Sequence, residues 1–143
     1  LMVELYIVLL AVTNVSSGVF KRLLGFTTLM LVFGYLGETQ VISSTIGFVG
    51  GMLFWGLALK EIWSGEAADA NAGSKNAAGQ YAYVNLKNIV TFGWLIYPAG
   101  YALGYFGGGV DMDLTNQVYN LADFVNKILP GVIVWAAAKM DTK

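Results

Sequence analysis

Residues 119–129 read YNLADFVNKIL, which places Asp123 and Lys127 inside a segment, 114–138, that is apolar and long enough to cross a membrane. The two charged residues are four positions apart, so on a helix their side chains share one face. Lys127 is too far from either end of the segment to reach a lipid headgroup easily. Ionisable groups at such depth usually mark a pathway or a ligand. The alternative is an ion pair that only fixes helix packing.

The composition of the 143 residues indicates a membrane protein. Hydrophobic residues make up 57% of the chain and charged residues 12%, and the mean hydropathy is +0.63. The sequence has no cysteine and no histidine, which excludes disulfides, thiolate nucleophiles and imidazole bases, and no metal site is expected. The net charge of −1, without a basic patch, gives no reason to expect nucleic acid.

Five apolar stretches predict an all-α transmembrane helix bundle. Their apolar runs are continuous instead of alternating, which favours helices over a barrel. The chain opens abruptly in an apolar run, so we expect a single membrane domain, 1–143, that is incomplete at its N-terminus. The connector 65–80, rich in Ala, Asn, Gly and Ser, predicts a mobile surface loop. The predicted helices are approximately 1–14, 20–37, 41–64, 81–107 and 114–139.

The distribution of charge predicts the orientation. With alternating spans, seven basic residues fall on one side, whereas the opposite side carries only Glu38, Asp111 and Asp113. Short cytoplasmic loops retain Lys and Arg, so the C-terminus should be cytoplasmic. The seven basic residues are Lys21, Arg22, Lys60, Lys75, Lys87, Lys139 and Lys143.

Lys127 has the chemistry to form a covalent bond. Desolvation favours the neutral amine, which can attack an aldehyde carbonyl and form a Schiff base. Asp123 can then act as the counterion of the protonated nitrogen. Tyr119 lies one further turn back, with a hydroxyl able to hydrogen-bond that carboxylate, although an interfacial or packing tyrosine is equally consistent with its position.

An aromatic stripe occupies the fourth predicted helix. Such a stripe is more often core packing than a cofactor pocket, but this one faces the interior with Lys127 if both helices turn their polar atoms inward. Pro98 leaves the carbonyl of Trp94 without its helical donor, so a kink or an ordered water is expected there; Pro130 does the same to the carbonyl of Asn126. The stripe consists of Trp94, Tyr97, Pro98 and Tyr101, spaced i, i+3, i+4 and i+7.

Three other features are consistent with a pocket. Met30 and Gly34, and likewise Gly51 and Trp55, are pairs one turn apart, and their glycines permit close approach of a ligand or simply of another helix. Glu4 is a carboxyl in an apolar run. Desolvation there favours the protonated form, able to deliver a proton, unless the residue is solvated near a helix end.

Four stretches together resemble one family. The sequence YNLADFVNK, 119–127, closely resembles the seventh helix of the microbial rhodopsins, and of proteorhodopsins in particular. FGWLIYP, 92–98, resembles the sixth helix, and MLVFGY, 30–35, the fourth. Glu4-Leu5-Tyr6, followed by Thr13-Asn14, resembles the cytoplasmic half of the third. The implied fold is the C-terminal portion of a seven-helix bundle, from half of helix C to helix G.

The resemblance implies a light-driven outward proton pump, not an enzyme. Lys127 would bind all-trans retinal as a protonated Schiff base, with Asp123 in the counterion complex and Glu4 as cytoplasmic proton donor. Leu1 falls at the family position where Leu accompanies green absorption. The implied pocket consists of Leu1, Met30, Gly34, Gly51, Trp55, Trp94, Tyr97, Pro98, Tyr101, Tyr119 and Asn126.

The resemblance also implies a multi-pass protein of the bacterial inner membrane that contacts the lipid bilayer, moves protons and forms homo-oligomers. The family's first two helices and primary proton acceptor have no counterpart in the chain, and Pro130 departs from the family's pattern.

A sensory rhodopsin is one alternative, which Glu4 argues against because a sensor has little need of rapid reprotonation. A retinal-free transporter or channel segment is another.

Overall fold

A computed structural model describes residues 1–107 and 112–142, all of whose regular elements are helical. The all-α prediction is confirmed. Within the described residues, the segments long and apolar enough to cross a membrane are Ser17–Glu38, Ser44–Gly73, Ala77–Phe106 and Asp113–Asp141. Most of the predicted connector 107–113, including Asp111, lies outside the described residues. The helices are α1 (Met2–Val12), α2 (Ser17–Glu38), α3 (Ser44–Ser64), α4 (Glu66–Gly73), α5 (Ala77–Asn88), α6 (Ile96–Phe106) and α7 (Met112–Asp141), with a π-helical turn at Ile89–Gly93 between α5 and α6.

The prediction of a mobile loop over 65–80 is wrong for α4. One carboxylate oxygen of Glu61 accepts a hydrogen bond from the backbone N–H of Ala67 at 3.2 Å, which satisfies a free donor at the start of this helix. Arg22 joins Glu61 at 2.9 Å and Glu66 at 2.7 Å, so the helix is tied to α2 and α3. These contacts between distant parts of the chain are invisible in the local composition.

The fourth predicted helix, 81–107, is interrupted. It begins at Ala77 and continues as α5, the π turn and α6, with Trp94 and Leu95 outside regular helix. Pro98 has no N–H, and the carbonyl of Trp94 accepts instead from the N–H of Tyr97 at 3.2 Å. Near Pro98 the backbone therefore forms a tight turn from Trp94 to Tyr97, directly after the wider π-helical turn. By contrast, α7 continues through Pro130 as one helix.

Glycines bring α2 and α3 close together. A Cβ on Gly47 would lie 2.7 Å from the Cα of Gly37, so neither position has room for a side chain. A Cβ on Gly50 would overlap the ring of Phe33. This close crossing fixes one wall of the bundle.

The most deeply buried core lies towards one end of the bundle, where α1 meets the start of α2, the end of α3, α4 and α5. Its largest fully buried side chains include Leu5, Leu23, Ile62, Tyr83 and Leu86. The Tyr83 hydroxyl donates to the carbonyl of Ile62 at 2.8 Å, which satisfies the polar atom of this core. Lys21, Lys60 and Lys87 lie at the same end of the bundle as this core. We call this end the basic end.

Candidate functional site

Lys127 and Asp123 form the ion pair that their spacing predicts. Lys127 Nζ lies 2.6 Å from Asp123 Oδ2, one turn apart on α7. The lysine side chain is 75% exposed and that of the aspartate 43%. The sequence predicts a buried amine, but the described helices leave it exposed. The amine instead projects into a large cavity.

Tyr97 binds the second carboxylate oxygen of Asp123. Its hydroxyl donates to Asp123 Oδ1 at 2.6 Å, so each oxygen of Asp123 has its own partner. Tyr119, suggested by sequence for this contact, donates instead to the backbone carbonyl of Tyr97 at 3.0 Å. The Tyr119 hydroxyl approaches α6 at Gly100, where a Cβ would overlap it. Helical spacing on α7 alone cannot show that Asp123 binds Tyr97 of α6 instead of Tyr119.

Asn126 connects α7 to the π turn. Its side-chain amide is buried and donates to the carbonyl of Gly93 at 3.0 Å, with a longer contact of 3.4 Å to the Tyr97 hydroxyl. A Cβ on Gly93 would overlap the amide oxygen of Asn126, so the glycine makes this contact possible. Two hydrogen bonds therefore join α7 to the interrupted segment, one from Tyr97 of α6 to Asp123 and one from Asn126 to the carbonyl of Gly93 in the π turn.

The cavity beside Lys127 has a volume of about 910 Å³. Every site residue predicted from the sequence lines it, although these residues come from five separate helical regions. Trp55 is held in the wall by a hydrogen bond from its indole N–H to the carbonyl of Val90 at 3.2 Å. The predicted residues that line the cavity are Leu1, Glu4, Met30, Gly34, Gly51, Trp55, Trp94, Tyr97, Pro98, Tyr101, Tyr119, Asp123, Asn126 and Lys127.

The two glycines of the predicted pocket differ from the packing glycines. A Cβ on Gly34 would meet nothing within 4 Å, so this position opens into free space. A Cβ on Gly51 would meet only the carbonyl of Met30, at the ordinary distance of 3.6 Å. Close helix packing therefore explains neither glycine, whereas a cavity wall explains both.

Glu4 lines the cavity but is not desolvated by the described helices. Its side chain is 52% exposed. The alternative of a solvated carboxyl thus fits the described residues better than burial, while its position in the cavity wall fits a role towards Lys127.

Sequence reasoning missed eight lining residues. Four of them continue the faces that the predicted residues began: Thr27 and Leu31 with Gly34 on α2, and Phe48 and Met52 with Trp55 on α3, at spacings of three, four and seven. Leu31 and Met52 lie between the predicted residues of each face, and Thr27 and Phe48 lie one turn before them. The others are Tyr35, Glu38, Gly47 and Pro130.

Comparison with known proteins identifies the family to which this arrangement belongs. A family model described as bacteriorhodopsin-like protein matches residues 1–140. The chain belongs to the bacteriorhodopsin-like family. The resemblance to microbial rhodopsins is thereby confirmed.

Individual members of the bacteriorhodopsin-like family give the degree of similarity. A green-light absorbing proteorhodopsin of the gamma-proteobacterium EBAC31A08 is 45% identical over 99% of the chain and 57% of its own length. A blue-light absorbing proteorhodopsin of the gamma-proteobacterium Hot 75m4 is 42% identical over 98% of the chain and 56% of its own length. The chain thus spans a little over half the length of these curated relatives.

Solved structures agree with the helical arrangement. The crystal structure of blue light-absorbing proteorhodopsin from Med12 matches with a TM-score of 0.79 and 38% identity, over 98% of this chain and 61% of that one. Exiguobacterium sibiricum rhodopsin matches with a TM-score of 0.81 over 99% of this chain and 66% of that one. Its identity is 23%, so this second match supports the fold alone.

Proposed function

We propose that the whole protein is a light-driven outward proton pump that holds retinal through Lys127. The observation that carries the proposal is the amine of Lys127, paired with Asp123 at 2.6 Å, in a cavity of about 910 Å³ with aromatic walls. The membrane-spanning helices and the proteorhodopsin relatives support a bacterial membrane protein. The proposed location is the bacterial inner membrane, with the C-terminus cytoplasmic.

The residues present fit retinal. An aldehyde requires a primary amine for attachment, and an apolar polyene with a ring requires a long cavity with aromatic sides. Lys127 supplies the amine, Trp55 and Trp94 supply the aromatic sides, and Gly34 leaves open space. When bound, retinal absorbs visible light and changes shape by isomerisation, the all-trans form being the proposed resting state.

The chain's own groups would hold and move the proton. Asp123 accepts hydrogen bonds from Lys127 and Tyr97, which keeps a negative charge beside a protonated nitrogen. Asn126 fixes the position of α7 against the π turn. Glu4, on another wall of the cavity, is the proposed donor that restores a proton to the Lys127 nitrogen after it is lost.

Substitution of Lys127 tests this proposal in the full-length protein in membranes. Added all-trans retinal should produce a visible absorption band in the wild type and none in Lys127→Ala, because the attachment atom is gone. Lys139→Ala, near the end of the same helix and outside the cavity, is the matched control and should keep the band. A band of equal strength in Lys127→Ala would refute the proposal.

Illumination of intact cells separates a pump from a sensor. Cells with the wild-type protein and retinal should acidify an unbuffered medium in light, and an uncoupler should abolish the signal. A pigment that forms without acidification would support the sensory alternative. A protein that remains colourless with retinal would support the transporter or channel alternative.

A further inference from the structure

Two aromatic side chains hold Lys87 beside the end of α3. Its ammonium nitrogen lies 3.8 Å from the centroid of the Trp63 ring and 5.9 Å from that of the Tyr83 ring. The indole N–H of Trp63 donates to the hydroxyl of Thr91 at 2.9 Å, which fixes the indole against the π turn. Trp63 is nevertheless 47% exposed. Aromatic rings therefore position this lysine on the surface of the bundle.

The carboxylate next to Lys60 in the sequence is not free to neutralise the lysines. Glu61 is bound by Arg22, with Nε and Oε2 2.9 Å apart. Within the described part of the chain, neither Lys60 nor Lys87 forms an ion pair. Lys60 is exposed and lies three positions before Trp63, so the two share one side of α3. Two positive charges thus flank one exposed indole.

An exposed apolar stripe runs along α3 and ends at these charges. We call it the α3 stripe, and it consists of Ile46, Val49, Leu53 and Gly56. Alternating steps of three and four residues follow one helix face, and the same steps continue to Lys60 and Trp63. A Cβ on Gly56 would meet nothing within 4 Å, so the stripe is open directly before the charges. This face suits an amphipathic molecule with an anionic head.

The charges lie at the level of a membrane surface. A hydrocarbon core of about 30 Å takes roughly 20 helical residues to cross, and α3 has 21, from Ser44 to Ser64. Lys60 and Trp63 lie in its last turns, where lipid headgroups begin, and tryptophan is enriched at this level. A lipid phosphate there can accept hydrogen bonds from both ammonium groups while its acyl chains lie along the α3 stripe.

We propose that Lys60, Trp63 and Lys87 form a binding site for one anionic phospholipid at the basic end of the bundle. The headgroup phosphate contacts the two ammonium groups, and the acyl chains cover the α3 stripe. A zwitterionic headgroup carries a cation of its own, which the lysines repel, so the site prefers a lipid with net negative charge. This inference depends on neither retinal nor proton transport.

Quenching of Trp63 fluorescence by brominated lipids tests the site in the full-length protein in lipid nanodiscs. The discs contain phosphatidylcholine with equal small shares of either phosphatidylglycerol or phosphatidylcholine brominated near the start of the acyl chains. Subtracting the emission of Trp63→Phe isolates that of Trp63. Varying the brominated share should give an association constant at least about fivefold larger for phosphatidylglycerol, since each lysine near an anionic surface contributes roughly fivefold.

Substitution of the lysines should remove this preference. In the double variant Lys60→Gln with Lys87→Gln, both lipids should quench Trp63 equally, because the positive charges are gone. Lys75→Gln, which changes an exposed lysine between α4 and α5, is the matched control and should keep the wild-type preference. Comparing two lipids within one variant cancels any change in the intrinsic emission of Trp63. If the double variant does not fold, the exposed Lys60→Gln alone should lower the preference severalfold.

Added inorganic phosphate distinguishes a lipid from a free anion. It lacks acyl chains, so it should change the preference no more than sodium chloride of equal ionic strength does. Loss of the preference in phosphate alone would show a site for free phosphate and overturn the lipid assignment. Equal quenching by both lipids in the wild type, or an unchanged preference in the lysine variants, would also overturn it. Quenching by neither lipid would show that protein, such as a second copy of the chain, covers this face.

Discussion

At the scale of single residues, the cavity brings together carboxyl groups with different surroundings, among them Asp123 and Glu4. Asp123 has a hydrogen-bond partner on each oxygen, whereas the side chain of Glu4 is half exposed on another wall. A carboxylate held by two donors is suited to remain charged, and a carboxyl with fewer partners is suited to exchange its proton. The two residues are therefore expected to fail in different ways when substituted.

Substitution of Glu4 tests the donor role. In Glu4→Gln, recovery of the proton by the Lys127 nitrogen should slow by about 10²–10⁴-fold, because a positioned acid is replaced by an amide that cannot donate it. Flash-induced absorbance changes of the full-length pigment give this rate. Asp69→Asn, an exposed acidic residue of α4, is the control and should behave as the wild type. Unchanged recovery in Glu4→Gln would contradict the donor role.

Gly34 and Gly25 provide a matched pair on α2. A Cβ at either position meets nothing within 4 Å, but only Gly34 lines the cavity. Gly34→Leu should therefore weaken retinal binding by about 1–3 kcal/mol through overpacking, while Gly25→Leu should have little effect. Titration of the retinal-free protein with retinal, followed by visible absorbance, measures the difference. Equal affinity in both variants would show that retinal does not occupy the space beside Gly34.

At the scale of helical elements, the interrupted segment from α5 to α6 contacts the site through backbone carbonyls. The carbonyl of Val90 in the π turn holds Trp55, and that of Gly93 holds Asn126. Irregular backbone offers groups to side chains of neighbouring helices where a regular helix uses them internally. The interruption thus fixes two walls of the cavity at once.

Gly93→Ala tests this arrangement. Its Cβ would overlap the amide oxygen of Asn126, so the variant should lose about 1–3 kcal/mol of stability, measured by thermal denaturation of the purified pigment. Gly131→Ala, whose Cβ meets nothing within 4 Å, should be neutral or slightly stabilising. The double variant Gly93→Ala with Asn126→Ala should lose less than the sum of the single variants. Strict additivity would contradict the contact.

The elements also show what the sequence can predict. Helical periodicity is local, so it grouped Met30 with Gly34 and Trp94 with Tyr97, and all four line the cavity, whereas Leu1 and Asn126 were assigned to it only through the resemblance to the microbial rhodopsins. It could not predict that Tyr97 and not Tyr119 binds Asp123, because that choice depends on how α6 approaches α7. It also missed α4, whose first turn is capped by Glu61 from the preceding helix.

At the scale of the whole molecule, the two ends of the bundle have different structures. The basic end contains the packed core around Leu23 and Tyr83, whereas the other end contains Glu38, which lines the large cavity. Under the proposed outward pumping, a tightly packed core at the cytoplasmic end would restrict proton leakage inward. This interpretation requires that the basic end faces the cytoplasm.

The orientation can be tested by labelling, since the sequence has no cysteine. Thr39→Cys, an exposed residue just after α2, should react with a membrane-impermeant maleimide in intact spheroplasts. Lys75→Cys, exposed between α4 and α5, should react only after the membrane is permeabilised, because basic residues remain on the cytoplasmic side. Light-driven acidification of the same cells shows that each variant is correctly inserted. If Lys75→Cys reacted first and Thr39→Cys only after permeabilisation, the proposed orientation with a cytoplasmic C-terminus would be wrong.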